Sequence, residues 1–253
     1  MIDNEELESF TPSQYGRNGG LHMKIYQPQT PLEAVRLRKE NEATAVYLAG
    51  GTDDLRLGGA AEGKDLIDIN GLGMDKLEIR GDELVIGSRC SLQDLAECEA
   101  VPAFIREAAL FCTSPARRNA ATVGGNLGLR RDDSYLAAVL TAAEAVLDCA
   151  TPHGEKEKKI GEYLQSQCKS LIMSVRIRKD RDGWVRRFGN TAAGHAAVIA
   201  AVSGDVYALS VHGSGLAYGA GPEIADTLAY KDDITGSAEY KRYLAKTAFT
   251  LRR

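Results

Sequence analysis

The stretch from residue 46 to residue 55 reads VYLAGGTDDL, in which a pair of glycines separates an apolar half from an acidic one. Its apolar first half predicts a buried strand, and the pair Gly50-Gly51 lets the backbone turn tightly afterwards. We expect a helix to begin at Asp53 or Asp54. Successive backbone N–H groups in such a turn, next to a helix N-terminus, form a nest for phosphate oxygens. A purely structural turn, with the aspartates capping a helix, is the alternative.

A second glycine pair follows in residues 121–126, which read ATVGGN. We predict a loop over residues 113–126, in which the glycines permit close approach of a ligand to the backbone. Thr122 and Asn126 add hydrogen-bonding side chains. Either pair alone is also explained by a structural turn. The presence of two such loops, one after the other along the chain, predicts that together they hold one extended ligand with a diphosphate.

The composition excludes several classes of protein. The 253 residues carry a net charge of −4 and are 44% hydrophobic, which is typical of one or two globular domains. With 31 basic residues against 35 acidic ones, the chain lacks the excess of positive charge that is typical of nucleic-acid-binding proteins. No stretch approaches the roughly 20 apolar residues of a membrane helix, and no signal peptide opens the chain. We therefore expect a cytoplasmic protein with neither a nucleic-acid nor a membrane partner.

The cysteines and histidines predict no metal site in this chain. The five cysteines are widely spaced, and none belongs to a C-x-x-C pair. A zinc ribbon, a ferredoxin-type cluster and a thioredoxin motif all require closer spacing. The four histidines are scattered, without an H-E-x-x-H sequence. Reduced thiols are the expected state of the cysteines.

Three regions follow from the pattern along the chain. Residues 1–22 are polar and show no apolar periodicity, which predicts a flexible N-terminal extension. Short strands and helices alternate over residues 23–155, which indicates an α+β domain. Residues 156–253 predict a separate C-terminal domain, an antiparallel sheet with two helices at 223–230 and 238–251.

Two hairpins build the predicted C-terminal sheet. The first joins residues 171–178 to residues 184–188 across Asp182-Gly183, a dipeptide that favours a tight turn. The second joins residues 198–202 to residues 206–211. Arg187, on the first hairpin, is a candidate to face a phosphate or a ring system. A solvated hairpin is the alternative interpretation of its basic neighbours.

Together these motifs resemble the FAD-binding medium subunit of the molybdenum hydroxylases, the family of xanthine dehydrogenase and carbon monoxide dehydrogenase. The resemblance runs from about Met23 to the C-terminus. It rests on AGGTD at residues 49–53, on RNAATVGGN at residues 118–126, and on the ending GSAEYKRYL at residues 236–244. The two glycine loops in this order, with Arg-Asn ahead of the second, are fairly specific to the group.

The resemblance implies a two-lobed FAD-binding domain of the vanillyl-alcohol-oxidase-like type, followed by the C-terminal sheet and helices. Relatives usually carry a cofactor-binding aspartate where Tyr135 stands here, so Asp132 or Asp133 would replace it. Either Ile172 or Met173 would lie near the flavin. The implied cofactor-binding residues are Ala49, Gly50, Gly51, Thr52, Asp53, Asp54, Leu55, Thr122, Val123, Gly124, Gly125, Asn126, Asp133, Ile172 and Arg187.

The same resemblance implies how such a chain works. Thr52 stands where covalent flavoproteins of the wider fold often carry histidine, so noncovalent FAD is expected. A large partner subunit with a molybdenum–pterin cofactor hydroxylates the substrate, and this chain supplies no catalytic residue. A small partner subunit with two [2Fe-2S] clusters passes electrons to FAD, which reduces NAD or another acceptor. A flavin-free scaffold subunit and a stand-alone flavin reductase are the alternatives.

Overall fold

The structure is a computed structural model, and it describes residues 23–56, 58–166 and 170–251. The predicted extension over residues 1–22, and Cys168, lie outside the described residues. Within them, the strands are β1 (Ile25–Tyr26), β2 (Ala45–Leu48), β3 (Asp65–Asp68), β4 (Leu77–Arg80), β5 (Glu83–Gly87), β6 (Val146–Thr151), β7 (Gly154–Lys159), β8 (Leu171–Arg178), β9 (Trp184–Phe188), β10 (Val198–Ser203), β11 (Val206–Val211) and β12 (Gly215–Gly219). The α-helices are α1 (Pro31–Glu40), α2 (Leu92–Glu97), α3 (Ala103–Leu110), α4 (Pro115–Ala120), α5 (Val123–Gly128), α6 (Tyr135–Ala142), α7 (Ile160–Gln165) and α8 (Ala238–Thr250).

The strands form three sheets, and the fold is α+β as predicted. A small parallel sheet has the order β1-β3-β2, and an antiparallel sheet has the order β4-β5-β8-β6-β7. The third sheet, β12-β11-β10-β9, is antiparallel as well. The first two sheets belong to two lobes, and the third lies toward the C-terminus.

The helix starts follow from local sequence. Thr30 caps α1 by accepting a hydrogen bond from the Glu33 N–H at 3.2 Å, and Pro31 occupies the first turn. Ser91 and Asp94 form a reciprocal capping box at the start of α2. A capping residue of this kind stabilises a helix by about 1 kcal/mol because it satisfies a free backbone donor. These caps fix where each helix leaves its preceding loop.

Helix α6 is buried on all sides and joins the second lobe to the third sheet. Every residue from Leu136 to Ala142 is buried, and the helix packs against α3 on one side and β10 and β11 on the other. One hydrophobic cluster accordingly runs from Phe104 in α3 to Ala208 in β11. The polar residues 131–134 at the start of α6 are therefore placed between the second lobe and the third sheet.

The hairpin predicted for residues 171–188 is wrong, whereas the one predicted for residues 198–211 is confirmed. Strand β8 pairs with β5 and β6, and β9 pairs with β10 in another sheet. Gly183 does not adopt a positive φ. A Cβ atom there would lie 2.3 Å from the carbonyl oxygen of Val202, so close packing rather than a tight turn requires the glycine.

Two further expectations change. The predicted helix at residues 223–230 is a short 3₁₀ helix, Pro222–Asp226, so one α-helix rather than two closes the described part of the chain. The division into domains at residues 155/156 remains a prediction. Strand β8, from beyond that boundary, lies inside the five-stranded sheet of the second lobe. Among the described residues, no helix has the length and apolar character to cross a membrane.

Candidate ligand-binding cavity

A cavity of about 930 Å³ lies where the two lobes and the third sheet meet. Its size is near the upper end of the range for small-molecule sites. Its wall includes the segment after β2, the start of α5, the segment before α6, the start of β8 and the segment before β10. All predicted site residues line it except Leu55, which is exposed, and Val123, which is fully buried behind the wall.

The first glycine motif forms a turn, and the helix predicted at Asp53 or Asp54 is not formed. Gly51 has a φ of +67°, which glycine adopts without strain, and Leu55 N–H donates to the Gly51 carbonyl at 3.1 Å. Within the described part of the chain, the backbone N–H groups of residues 50–54 have no acceptor. Free donors in successive residues are typical of an anion-binding nest.

Gly50 brings the first motif into direct contact with the segment before the second. A Cβ atom at Gly50 would lie 1.7 Å from the carbonyl oxygen of Ala120, at the end of α4. No side chain fits at that distance. The absence of a side chain at this position is therefore needed for packing between the lobes, independently of any ligand.

The second glycine motif is helical, so the loop predicted over residues 113–126 is wrong. Ser114 and Thr122 cap two short helices, α4 and α5, which follow each other directly. The N–H groups of residues 123, 124, 125 and 126 donate, at 2.7 to 3.1 Å, to Cys90 O, Ser88 O, Thr122 Oγ1 and Thr122 O. These donors are all used inside the protein. The second motif therefore shapes the wall and offers no free backbone donor there.

Asp133 is the aspartate that faces the cavity, whereas Asp132 does not line it. The Asp133 carboxylate accepts hydrogen bonds from Arg131 Nε at 2.8 Å and from His195 Nδ1 at 2.7 Å. Burial acts to raise the pKa of Asp133, but these two partners hold it below its ordinary value. The side chain therefore remains ionised and is held in a fixed position.

Ile172 and Arg187 occupy different kinds of position. Ile172, on β8, is buried and lines the cavity, whereas its neighbour Met173 does not. Arg187 also lines the cavity, but its guanidinium donates to the carbonyls of Thr191, at 3.0 Å, and of Gly194. It thereby fixes the segment over residues 189–194, which ends beside the cavity.

Sequence reasoning missed a group of arginines around the cavity. Arg117 precedes Arg118, the arginine of the RNAATVGGN motif, whose side chain turns away to Gln93 and to the carbonyl of Cys112. Arg117 has no side-chain partner within the described residues. The arginines that line the cavity, besides Arg187, are Arg38, Arg56, Arg117, Arg130 and Arg131.

Tyr47 was also missed, because its position in a predicted buried strand gave no sign of a polar role. Its side chain lines the cavity, and its hydroxyl is buried without a hydrogen-bond partner within the described residues. Burial raises the pKa of Tyr47 above its ordinary value, so the hydroxyl stays protonated. A buried hydroxyl without a partner is costly, and a bound ligand that accepts a hydrogen bond removes that cost.

Comparisons with known proteins agree with this geometry. Residues 21–178 match the family model described as "FAD binding domain in molybdopterin dehydrogenase". The chain is 27% identical, over 243 residues, to "Uncharacterized protein YgfM" of Escherichia coli K12, covering 87% of this chain and 91% of that protein.

Two solved structures show the same fold. A carbon monoxide dehydrogenase chain from Hydrogenophaga pseudoflava matches with a TM-score of 0.76 at 21% identity, covering 89% of this chain and 93% of that one. A quinoline 2-oxidoreductase chain from Pseudomonas putida 86 matches with a TM-score of 0.76 at 15% identity, with the same coverage of both chains. At these identities the likeness concerns the fold.

Proposed function

Because the chain belongs to the family of FAD-binding domains in molybdopterin dehydrogenases, we propose that it is the electron-transfer subunit of a molybdenum hydroxylase complex. It binds FAD as the medium subunit of such an enzyme. The observation that carries the proposal is the first glycine motif, where the backbone donors of residues 50–54, on the wall of a large cavity, have no acceptor among the residues that the structure describes. Such a row suits the diphosphate of a dinucleotide.

The other residues of the cavity also fit FAD. The five arginines on its wall add positive charge to the cavity, and Tyr47 supplies a donor that lacks an acceptor among the described residues. Thr52 offers no imidazole for a covalent link, so the cofactor is held noncovalently. The residues that would hold it are Tyr47, Arg117, Ile172, the glycine turn at 50–54 and the wall at 122–126. FAD supplies the redox chemistry when bound, and this chain binds and orients it.

The route of the electrons is part of the proposal. Electrons enter from [2Fe-2S] clusters of a small partner subunit and leave to NAD or another acceptor. A large partner subunit holds the molybdenum–pterin cofactor and hydroxylates the substrate. The family description supports this because it links the FAD domain to molybdopterin enzymes.

A reconstitution titration tests FAD binding. The full chain is mixed with FAD, and bound flavin is measured by fluorescence quenching and by release on acid treatment. We expect saturable noncovalent binding that weakens as salt is added, because cations contact the phosphates. A chain that is folded by circular dichroism but does not bind FAD would overturn the proposal. If that chain still assembled with its partner subunits, it would be a scaffold.

A single arginine tests the placement of the diphosphate. Arg117→Gln should weaken FAD binding about two- to fivefold, since an exposed cation contributes up to about 1 kcal/mol. Arg36→Gln is the matched control, because Arg36 is an exposed arginine on α1 that does not line the cavity. Equal affinities of the two variants would contradict the assignment of Arg117.

A further inference from the structure

A cluster at the edge of the cavity is not used by the proposed function. Asp133, His195 and His212 each offer one ligand atom, and these atoms lie within 4.8 Å of one another. His195 Nδ1 lies 2.7 Å from Asp133 Oδ2, and the two imidazole rings have their centres 5.0 Å apart. Two imidazoles and a carboxylate are a ligand set that first-row divalent metals take in proteins.

A carboxylate outside the cluster orients the imidazole of His212. His212 Nδ1 lies 2.8 Å from Asp233 Oδ2. Since an ionised carboxylate only accepts hydrogen bonds, Nδ1 carries the hydrogen, and Nε2 is the nitrogen with a free lone pair. A carboxylate behind a histidine in this way is the usual outer-shell arrangement of metal-ligating histidines, because it fixes both the tautomer and the ring.

The supporting carboxylate is itself held firmly. Asp233 Oδ1 accepts hydrogen bonds from the N–H of Thr235 at 2.8 Å and from its hydroxyl at 2.6 Å. Lys241, which is fully buried, donates to Asp233 Oδ2 and, at 2.9 Å, to the carbonyl of His212. Both the ring and the backbone of His212 are therefore fixed before any ligand binds, which lowers the conformational cost of binding.

The charges around the cluster favour an added cation. Within the described residues, the carboxylates of Asp133 and Asp233 are paired with Arg131 and Lys241, and Asp132, which accepts from the N–H of Gly213 at 2.9 Å, adds a third negative charge next to His212. Arg131 Nε binds Asp133 Oδ1 at 2.8 Å, so Oδ2 can serve as a metal ligand without losing that partner. Arg131 Nη2 lies 3.1 Å from Oδ2 and 3.0 Å from His195 Nδ1, and a metal ion that binds these two atoms displaces both contacts.

We propose that Asp133, His195 and His212 form a binding site for one first-row divalent metal ion of the Zn²⁺ class. The ion takes the place of the proton between His195 Nδ1 and Asp133 Oδ2. These two atoms then move apart from 2.7 Å to roughly 3.3 Å, the spacing of tetrahedral ligands around zinc. Three protein ligands leave a fourth position for water, as in open zinc sites.

Cobalt(II) serves as the probe because its visible absorbance reports the coordination number. The full chain, with and without FAD, is titrated with Co²⁺, and the bound metal is counted after desalting. We expect one Co²⁺ per chain, with the absorbance of a low-coordinate site, and displacement of it by Zn²⁺. His212→Ala and His195→Ala should each weaken binding at least tenfold. His153→Ala, an exposed histidine in the β6–β7 turn, should leave it unchanged.

The outcomes separate this site from FAD binding. His212 does not line the cavity, so His212→Ala should lose the metal and keep its affinity for FAD. Should His212→Ala fail to fold, His195→Ala decides, because its side chain is 44% exposed and its removal leaves little buried space. No saturable Co²⁺ binding, or equal binding by His195→Ala and His153→Ala, would overturn the proposal whether or not FAD binds.

Discussion

The two Gly-Gly pairs, which the sequence alone presents as similar turns, differ in structure. At residues 50–51 the chain turns, and the backbone N–H groups that follow are unpaired within the described residues. At residues 124–125 the chain is helical, and its N–H groups are bonded to Ser88 O and Thr122 Oγ1. The first pair presents donors to the cavity, whereas the second packs against the protein interior.

This difference shows that a Gly-Gly pair does not by itself predict one backbone conformation. Gly51 adopts a positive φ, which favours glycine. A side chain at Gly50 would collide with Ala120 O, and one at Gly124 would press against Ser88. Three separate physical requirements therefore select glycine at these positions. Each can be tested on its own, because each predicts a different consequence of adding a methyl group.

Gly50→Ala should have the largest effect on stability. Its new Cβ atom would lie 1.7 Å from a backbone oxygen, which cannot move without shifting α4. We expect a loss of more than about 3 kcal/mol in the free energy of unfolding, beyond the usual cost of overpacking. Urea denaturation measures it. Gly128→Ala is the control, since a Cβ atom there meets nothing within 4 Å; similar losses in the two variants would contradict the contact.

Cysteine reactivity should show how firmly the second motif is tied to the interior. Cys90, whose carbonyl accepts from Val123 N–H, is buried, and burial raises the pKa of its thiol to about 12. We expect iodoacetamide at pH 8 to alkylate Cys90 at least roughly a hundredfold more slowly than an ordinary thiol, since each pKa unit lowers the thiolate fraction tenfold.

Cys112 provides the comparison, because it lines the cavity. Peptide mapping after timed labelling measures both rates in one sample. FAD should slow the labelling of Cys112 and leave that of Cys90 unchanged. Rapid labelling of Cys90 in the folded chain would show that the second motif opens to solvent.

Gly124→Ala should be milder than Gly50→Ala. The new Cβ atom would lie 2.7 Å from the Cβ atom and 3.0 Å from the carbonyl oxygen of Ser88. Because a helix tolerates alanine and part of this contact is with a side chain, we expect a loss of about 1–2 kcal/mol. Urea denaturation beside Gly50→Ala gives the ranking, and the reverse order would mean that the second motif is the more tightly packed one.

Tyr47→Phe should have the smallest effect, and it acts on binding alone. Removing a hydroxyl without a partner should leave the stability of the free chain unchanged or slightly higher. FAD affinity should fall about threefold to tenfold if the hydroxyl donates to the cofactor, as one hydrogen bond contributes about 0.5–1.5 kcal/mol. Fluorescence titration measures it, and an unchanged affinity would remove Tyr47 from the FAD site.

Sequence reasoning succeeded where the cause of a structure is local. The hairpin of β10 and β11 depends on residues a few positions apart, and its prediction is confirmed. The caps at Thr30 and Ser91 have equally local causes, since each bonds to a residue three positions along the chain. The membership of the family, the α+β fold and FAD as cofactor were likewise recognisable from the motifs at residues 49–53 and 118–126.

Prediction from the sequence failed where a structure depends on segments that are far apart in the chain. The partners of β8 are β5 and β6, about 90 and 25 residues away, and nothing near Gly183 specifies them. The arginines of the cavity, and the cluster of Asp133, His195 and His212, are likewise brought together only by the tertiary fold. No spacing rule applies to residues that come from separate sheets and helices.

The contact between Gly50 and Ala120 also has a consequence for how the chain folds. It joins segments 70 residues apart, so a long loop must close before the cavity exists. Contacts of this range form late and slow the folding reaction. FAD therefore meets a pocket only after the lobes have docked. It should lengthen the lifetime of the folded chain without speeding its formation.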